Sequence, residues 1–350
     1  MFSYIRPFLF NLDPEKAHAL AIRSIKYNFF PEKFFSVENE EILSLSLFGK
    51  TLKNPIGLAA GFDKSAEIYN QMYKLGFGFV EIGTVTPKKQ YGNPKPRVFR
   101  LENDQALINR LGFNNDGSEV VKKRIENNLP KSLLGINIGP NKLSEDMISD
   151  FLKCAETFFP LGDYITINIS SPNTEGLRDF HKKDVLLELL SKINNIREKS
   201  NFKKAFLLKI SPDLKEENIS EIIQLILDFK IDGVILTNTT DRNRDDLLSD
   251  NKLEIGGLSG KPITSISTKL IKRFYRDLKN KVPIIGVGGI DSGKAAFEKI
   301  VAGASALQLY TGMIYKGPTI VKQIKKELIN ILNEQGFKNL KEAVGSYSSN

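Results

Sequence analysis

The sequence predicts an α/β protein, a closed (β/α)8 TIM barrel with a small N-terminal helical extension. Continuous runs of Val, Ile and Leu recur along the chain, and such runs are typical of strands buried on both faces of a parallel sheet. Segments with apolar residues at helical spacing alternate with them from about residue 55 onward. There are eight such runs, and each ends in small or polar residues, as the active-site face of a barrel requires. An open doubly wound sheet is the alternative, but the eight repeats favour the barrel.

The predicted elements follow one another in a regular order. The strand ends are at 57–61, 81–86, 135–139, 168–173, 208–209, 236–240, 286–289 and 309–311. The helical segments are at 66–75, 120–128, 144–159, 185–199, 219–229, 264–278, 294–302 and 319–335. Gly or Pro separates several of these helices from the next strand, which is where helices commonly stop.

The composition excludes several kinds of site. Cys154 is the only cysteine, so the chain has no internal disulfide and no Cys-ligated iron–sulfur cluster of its own. Neither His18 nor His181 has a second His at metal-ligand spacing, and no metal site is predicted. The net charge of +9 predicts a solvated basic surface, with an anionic membrane or ligand as the alternatives. No basic run is interleaved with aromatics, so no nucleic-acid partner is expected.

The N-terminal region is unusually aromatic, with nine Phe and Tyr residues in the first 35. Two helices are predicted at 4–11 and 13–28, the second with Asp13 as its N-cap and Pro14 as its first residue. Their apolar positions exceed what one face against a barrel needs, which favours a helical pair lying on a bilayer. A cap packed on the barrel is the alternative. Not all of the following side chains can face the barrel: Phe2, Phe8, Phe10, Phe29 and Phe30.

The N-terminal pair also sets the expected location. No segment approaches the ~20 apolar residues of a membrane span, and no secretory signal is evident. We expect a peripheral protein on the cytoplasmic side of the cell membrane, with a helical unit at 1–38 and the barrel at 39–350. A hairpin at 43–52, turning at Gly49-Lys50, is expected to close the barrel floor.

The strand ends carry groups suited to a phosphate, a flat ring and a small anion. Gly288-Gly289 and the segment 310–312 follow the seventh and eighth strands, where such barrels commonly hold a phosphate. Glycines in 57–61 allow close approach of a flat ring, and Lys209 can place a cation beside it. The donors expected around a small anion are Lys64, Asn109, Asn114, Asn173, Asn238 and Thr239.

Eight motifs together resemble one family, the dihydroorotate dehydrogenases. The motifs are NPIGLAAGFDK at 54–64, EIGTVTP at 81–87, GNPKPR at 92–97, NRLGFNN at 109–115, NISSPNT at 168–174, GGLSG at 256–260, GVGGI at 286–290 and LYTG at 309–312. The resemblance covers essentially the whole chain, including the N-terminal pair. It implies oxidation of (S)-dihydroorotate to orotate in pyrimidine (UMP) biosynthesis, with one FMN per subunit.

The residue at position 171 indicates the class within the family. Members that are membrane-bound and use a quinone place Ser there, as this chain does at Ser171, whereas soluble members place Cys. The N-terminal extension belongs to the same quinone-using class. The resemblance therefore implies a membrane quinone as electron acceptor, and we expect a monomer.

The resemblance also implies roles for individual residues. Ser171 would be the catalytic base, and since a hydroxyl is a weak base, activity should rise toward alkaline pH. The substrate would be bound by Lys64, Asn109, Arg110, Leu111, Gly112, Phe113, Asn173, Asn238 and Thr239. The FMN would be bound by Ala60, Gly61, Phe62, Asp63, Lys64, Thr84, Asn137, Asn168, Lys209, Thr237, Gly260, Gly289, Tyr310 and Thr311.

Two alternatives come from different classes of protein. Another FMN-dependent barrel, such as a tRNA dihydrouridine synthase, would carry a catalytic Cys on an active-site loop and an added RNA-binding domain, and the sequence shows neither. A non-catalytic, membrane-bound ligand-binding barrel would keep the glycines but has no reason to retain Ser171, Lys64 and the Asn residues together.

Overall fold

A computed structural model describes residues 2–27, 34–38, 40–199, 204–242, 244–278 and 280–347. Its strands are β1 (Leu45–Leu47), β2 (Lys50–Leu52), β3 (Ile56–Leu58), β4 (Phe79–Val85), β5 (Val98–Leu101), β6 (Ala106–Asn109), β7 (Leu133–Ile138), β8 (Tyr164–Asn168), β9 (Ala205–Ile210), β10 (Gly233–Leu236), β11 (Gly257–Gly260), β12 (Ile284–Val287) and β13 (Ala306–Leu309). Its helices are α1 (Phe2–Phe10), α2 (Pro14–Lys26), α3 (Tyr69–Lys74), α4 (Ser118–Asn127), α5 (Met147–Phe158), α6 (Lys183–Lys199), α7 (Glu216–Asp228), α8 (Thr264–Leu278), α9 (Gly293–Val301), α10 (Thr311–Lys316), α11 (Ile320–Glu334) and α12 (Leu340–Ala343).

Eight parallel strands close into a barrel in the order β10-β12-β13-β3-β4-β7-β8-β9. The strands are buried along nearly their whole length, which is why they read as continuous apolar runs. Each of the eight predicted helical segments contains a helix that packs outside the barrel. The predicted (β/α)8 barrel is confirmed, and the open sheet is wrong because β9 and β10 pair and complete the circle.

A two-residue hairpin covers the floor of the barrel. In it β1 and β2 are antiparallel and Leu47 lies opposite Lys50, so Phe48 and Gly49 form the turn, one residue earlier than predicted. Both turn residues have positive φ, which suits the tight turns that match strand twist. The Phe48 ring packs 5.2 Å from the Tyr164 ring, beneath the first layer of the barrel.

A small antiparallel sheet of β5, β6 and β11, which the sequence did not predict, stands beside the carboxyl ends of the barrel strands. Two of its strands, β6 and β11, are about 150 residues apart in the chain and pair from Asn109–Gly257 to Ala106–Gly260. The sheet brings Asn109 and Ser259 to the mouth of the barrel. It therefore forms one wall of the candidate site.

The N-terminal helices lie beside this sheet. Asp13 caps α2, because its carboxylate accepts hydrogen bonds from the N–H groups of Glu15 and Lys16 at 3.1 and 3.0 Å. The Phe10 ring faces inward, 5.5 Å from the Tyr315 ring on α10, whereas Phe8 is exposed. None of the described helices is long and apolar enough to cross a membrane. The predictions for Phe29 and Phe30 fall outside the described residues.

Candidate active site

A cavity of about 1130 Å³, including the space at its mouth, opens at the carboxyl ends of the barrel strands. This is the face on which TIM-barrel enzymes place their active sites. Most of the predicted site residues share its lining. They are Ala60, Gly61, Lys64, Thr84, Asn109, Leu111, Gly112, Phe113, Asn168, Ser171, Asn173, Lys209, Thr237, Asn238, Thr239, Gly260, Gly289, Tyr310 and Thr311.

Ser171 lies in the loop after β8 and is 5 % exposed. The Asn173 N–H donates a hydrogen bond of 3.2 Å to Ser171 Oγ, which holds the hydroxyl at the cavity wall. No hydrogen bond among the described residues joins Ser171 Oγ to a His, Asp, Glu or Lys side chain. The serine thus lacks the paired base of a hydrolase triad, and its hydroxyl proton is free to be exchanged with a ligand or water.

Below the cavity, a hydrogen-bond network of buried amide, hydroxyl and carboxylate groups crosses the barrel interior. Asn137 donates to Glu81 Oε1 at 2.8 Å and accepts from Thr84 Oγ1 at 2.6 Å. Asn168 donates to the same Thr84 oxygen at 2.9 Å. Glu81 also accepts from Tyr164, and the whole set is buried. Because these groups satisfy one another, Thr84 and Asn168 are held rigidly at the cavity floor.

The same hydrogen-bond network extends to Asn238, one of the residues predicted to bind the substrate. Asn238 donates to Ser170 Oγ at 2.9 Å, and Ser170 Oγ donates to Asn168 Oδ1 at 3.1 Å. Asn173 Nδ2 donates a long hydrogen bond of 3.5 Å to Asn109 Oδ1. The Asn109 and Asn173 amides therefore lie side by side in the cavity lining, where both could contact one small ligand.

Lys64 is half-buried at the end of the loop that follows β3. Its Nζ donates to the Gly61 carbonyl oxygen at 2.6 Å, which leaves two ammonium protons for a ligand. Burial lowers the pKa of Lys64 to about 8, and the Glu15 carboxylate opposes that shift. The group is therefore largely cationic at neutral pH and loses its charge in mildly alkaline solution.

Lys209 is a buried cation at the end of β9, only 5 % exposed. Burial lowers the pKa of Lys209, and the Glu81 carboxylate opposes the shift. Its ammonium makes no hydrogen bond or salt bridge to another described residue. A ligand that carries or gains negative charge would satisfy it.

Two glycines after β12 form a close-approach surface. Gly288 and Gly289 have φ values of +115° and +72°, which side-chain-bearing residues rarely adopt. A Cβ on Gly289 would lie 1.9 Å from Thr264 Oγ1, so only glycine fits there. Successive backbone N–H groups in such a turn suit an anion.

Arg110 and Asn114 lie outside the cavity lining. The Arg110 guanidinium donates to Glu254 Oε2 at 2.7 Å and to the Ile255 carbonyl oxygen at 2.9 Å. Arg110 therefore holds the loop before β11 against the small sheet. Its role in substrate binding stays a prediction, and the side chain is already engaged elsewhere.

Three residues predicted to bind the cofactor, Phe62, Asp63 and Asn137, also lie outside the lining. The Phe62 ring is wedged between the rings of His18 at 5.0 Å and Tyr310 at 5.7 Å. Asp63 accepts 2.8 Å hydrogen bonds from the N–H groups of Glu67 and Ile68, and burial raises its pKa. These side chains support lining residues instead of facing the cavity, and direct binding stays a prediction for each.

Some lining residues were not predicted. Ser259 on β11 lies 2.9 Å from Thr311 through their hydroxyl oxygens, and Val98 and Leu107 of the small sheet add an apolar wall. Of these three, only Ser259 lies inside one of the eight motifs, GGLSG. In the described part of the chain, no group of three His, Cys, Asp or Glu residues could hold a metal ion.

The sequence model described as "Dihydroorotate dehydrogenase" matches residues 42–332. The chain belongs to the dihydroorotate dehydrogenase family. Mouse mitochondrial dihydroorotate dehydrogenase (quinone) is 45 % identical, with 98 % of this chain and 89 % of the mouse protein covered. Dihydroorotate dehydrogenase (quinone) of Christiangramia forsetii is 46 % identical, with 93 % and 98 % covered.

A solved structure of the same family has a closely similar fold. The ligand-free dihydroorotate dehydrogenase of Eimeria tenella superimposes with a TM-score of 0.92 at 39 % identity, with 97 % of this chain and 100 % of that one covered. Dihydroorotate dehydrogenases are flavin-dependent oxidoreductases. A site of this family has to accommodate a flavin and a dihydropyrimidine.

Proposed function

We propose that this dehydrogenase oxidises (S)-dihydroorotate to orotate, with FMN bound at the cavity floor and a membrane quinone as the electron acceptor, in UMP biosynthesis. One observation carries the proposal. A single cavity combines donors for a small anion near Ser171 with a buried cation and a glycine cradle at its floor. The donors near Ser171 suit the carboxylate of a dihydropyrimidine, whereas the buried cation and the glycines suit a flavin.

Three observations support a fit to FMN. The Gly288-Gly289 backbone lines the cavity without side chains, so a phosphate can approach its N–H groups closely. Thr237 Oγ1 is buried and has no hydrogen-bond partner among the described residues, although Thr237 lines the cavity. The Lys209 ammonium is similarly unpaired. Bound FMN supplies the two-electron acceptor, and Lys209 supplies positive charge beside it.

Lys64 and the amides would hold the substrate. The carboxylate of dihydroorotate is an anion, and the Lys64 ammonium has two protons left to donate to it. The amide groups of Asn109, Asn173 and Asn238 can donate to its carboxylate and carbonyl oxygens and accept from its ring N–H groups. Such a ligand would bridge the Asn109–Asn173 pair.

Ser171 would accept the proton that leaves a substrate carbon and pass its own hydroxyl proton to water. The Asn173 N–H donates to Ser171 Oγ and so stabilises negative charge that develops there. Charge developing on the substrate is spread toward Lys64 and the amide donors, which lowers the demand on a weak base. The activation should be weaker than that of a thiolate, so turnover should rise with pH.

The N-terminal pair would bring a quinone to the flavin from the lipid phase. Tyr4 and Phe8 on α1 and Tyr27 after α2 are strongly exposed aromatics on the outer surface of the pair. The inner side of α2 is tied to the site wall, because the Arg97 guanidinium binds Glu15 at 2.8 Å. An apolar outer surface with a fixed inner side supports peripheral attachment to a membrane. We propose that this is the cytoplasmic side of the cell membrane and that the protein is a monomer.

The proposal is tested by electron-transfer stoichiometry with the full chain in detergent or lipid. Dihydroorotate and a long-tailed quinone should give one orotate per quinone reduced. A water-soluble acceptor in place of the quinone should give much slower turnover. Orotate formation that needs the soluble acceptor and ignores the quinone would contradict the quinone assignment, and no orotate with any acceptor would contradict the reaction itself.

A further inference from the structure

Lys299 is a buried lysine for which the described residues supply no counter-ion. It lies on α9 with 0 % of its surface exposed, and no carboxylate of the described chain forms a salt bridge with it. Lys325, also buried, differs because Glu40 pairs with it at 3.0 Å. Burial lowers the pKa of Lys299 to about 7, with the Glu298 carboxylate opposing. A buried lysine without a carboxylate partner is therefore only partly charged at neutral pH, and an anion bound nearby would stabilise its charged form.

The ammonium of Lys299 points toward the glycine cradle of the cavity. Its Nζ donates to the Thr264 carbonyl oxygen at 3.3 Å and to Thr268 Oγ1 at 3.1 Å, at the first residue of α8 and one turn further along it. Thr264 Oγ1 donates to the Lys261 carbonyl oxygen at 2.7 Å and also lies 3.3 Å from the Gly289 carbonyl oxygen. A single residue, Thr264, therefore separates Lys299 from the backbone that lines the cavity.

We propose that the phosphate of the bound flavin is the counter-ion of Lys299, which makes Lys299 a positioning residue for that phosphate. The inference rests on the proposed function. Backbone N–H groups at Gly288-Gly289 would contact the phosphate, while Lys299 acts from behind Thr264 without touching it. Through a protein interior of low effective dielectric, a cation one residue away still attracts a dianion strongly. Lys299 also fixes the first turn of α8, so it acts on both the charge and the shape of the cradle.

The test compares two flavins that differ only in the phosphate. The full-length chain is freed of flavin, and FMN and riboflavin are titrated against it by quenching of flavin fluorescence. Lys299→Met removes the charge and keeps the length of the side chain. It should weaken FMN binding by about tenfold while leaving riboflavin binding nearly unchanged. Lys325→Met, which removes a buried lysine paired with Glu40, is the matched control and should leave the FMN-to-riboflavin affinity ratio unchanged.

Two results with folded Lys299→Met would count against the inference. An FMN-to-riboflavin affinity ratio that is unchanged in Lys299→Met would overturn the inference. If affinity for both flavins fell equally, Lys299 would only stabilise α8. If Lys299→Met does not fold, Lys299→Gln keeps a donor for Thr264 and Thr268 and supplies the same comparison. A wild-type chain that binds riboflavin as tightly as FMN also overturns it. A wild-type chain that binds neither flavin contradicts the proposed function, and the inference with it.

Discussion

The backbone N–H of Asn173 donates a hydrogen bond of 3.2 Å to Ser171 Oγ, two residues earlier in the same loop. The bond fixes the direction of the hydroxyl and places a partial positive charge beside its oxygen. An oxygen held in this way carries negative charge at lower free energy than a freely rotating one. The loop therefore compensates in part for the absence of a histidine or carboxylate partner.

Replacing Ser171 by Ala should slow flavin reduction by dihydroorotate about 10²-fold or more, which is the scale for losing a positioned base. FMN content and orotate affinity should stay close to wild type, because Ser171 is one of many lining residues. Rapid mixing of the oxidised enzyme with dihydroorotate measures the rate.

Ser211→Ala is the matched control for that change. Ser211 accepts the same kind of hydrogen bond, from the Asp213 N–H at 3.2 Å, and is buried, but it does not line the cavity. Its loss should leave the reduction rate within a few-fold of wild type. Equal slowing in both variants would remove Ser171 from the chemistry and assign the effect to loop structure.

Affinity for the substrate should fall in mildly alkaline solution, because Lys64 loses its positive charge there. Its pKa is lowered to about 8, so the ammonium that binds the carboxylate is present below that pH and lost above it. The dissociation constant of orotate should therefore rise as pH passes through about 8, while the rate of flavin reduction rises because of Ser171.

Lys64→Ala should weaken orotate binding roughly 10- to 100-fold, the range for a hydrogen bond to a charged group. It should also abolish the pH dependence of binding, with FMN retained. Lys64→Arg, which keeps its charge at high pH, should move the loss of affinity to more alkaline solution. A wild-type affinity that is constant between pH 7 and 9.5 would contradict the role of the Lys64 charge.

Lys209 should act on the cofactor and not on the substrate. Lys209→Met should weaken FMN binding about tenfold or more and make the reduction potential of the bound flavin more negative, because a cation beside the ring is lost. Spectroelectrochemical titration measures the potential. If Lys209→Met and Lys64→Ala shared one defect, the separate assignment of the two lysines would be wrong.

The barrel could be predicted from the sequence because each buried parallel strand leaves a local signature of apolar residues. The small sheet could not, since β11 is the short Gly-rich segment Gly257–Gly260 and pairs with a strand about 150 residues earlier. Motif position predicted that Ser171, Lys64 and Lys209 share one site, and all three line the cavity, whereas Arg110 lies outside the lining. The Glu254 that engages Arg110 is remote in sequence, so no local pattern shows the pair. Lys299 had no signal either, because burial of a lysine depends on how α8 and α9 pack.

Deleting residues 1–36 should leave reduction of the flavin by dihydroorotate intact while turnover with long-tailed quinones is abolished. The barrel strands and the cavity lining lie beyond residue 36, whereas the route from lipid would run along the deleted pair. The truncated chain should also stop sedimenting with anionic vesicles.

Two exposed aromatic residues provide a test and a matched control for the predicted binding to anionic vesicles. Phe8→Ser on α1 should reduce vesicle binding, whereas Tyr91→Ser, an equally exposed position outside the N-terminal pair, should not. Full quinone turnover by the truncated chain would show that the helices only cap the barrel.

The proposed reaction requires one cavity to hold a flavin that dihydroorotate reduces. The most direct test is the visible absorption spectrum of the purified chain, taken without oxygen before and after dihydroorotate is added. We expect a yellow protein with flavin bands that bleach on mixing, with orotate formed in an amount equal to the flavin. A colourless protein that FMN cannot reconstitute, or a yellow one that dihydroorotate fails to bleach, would contradict it.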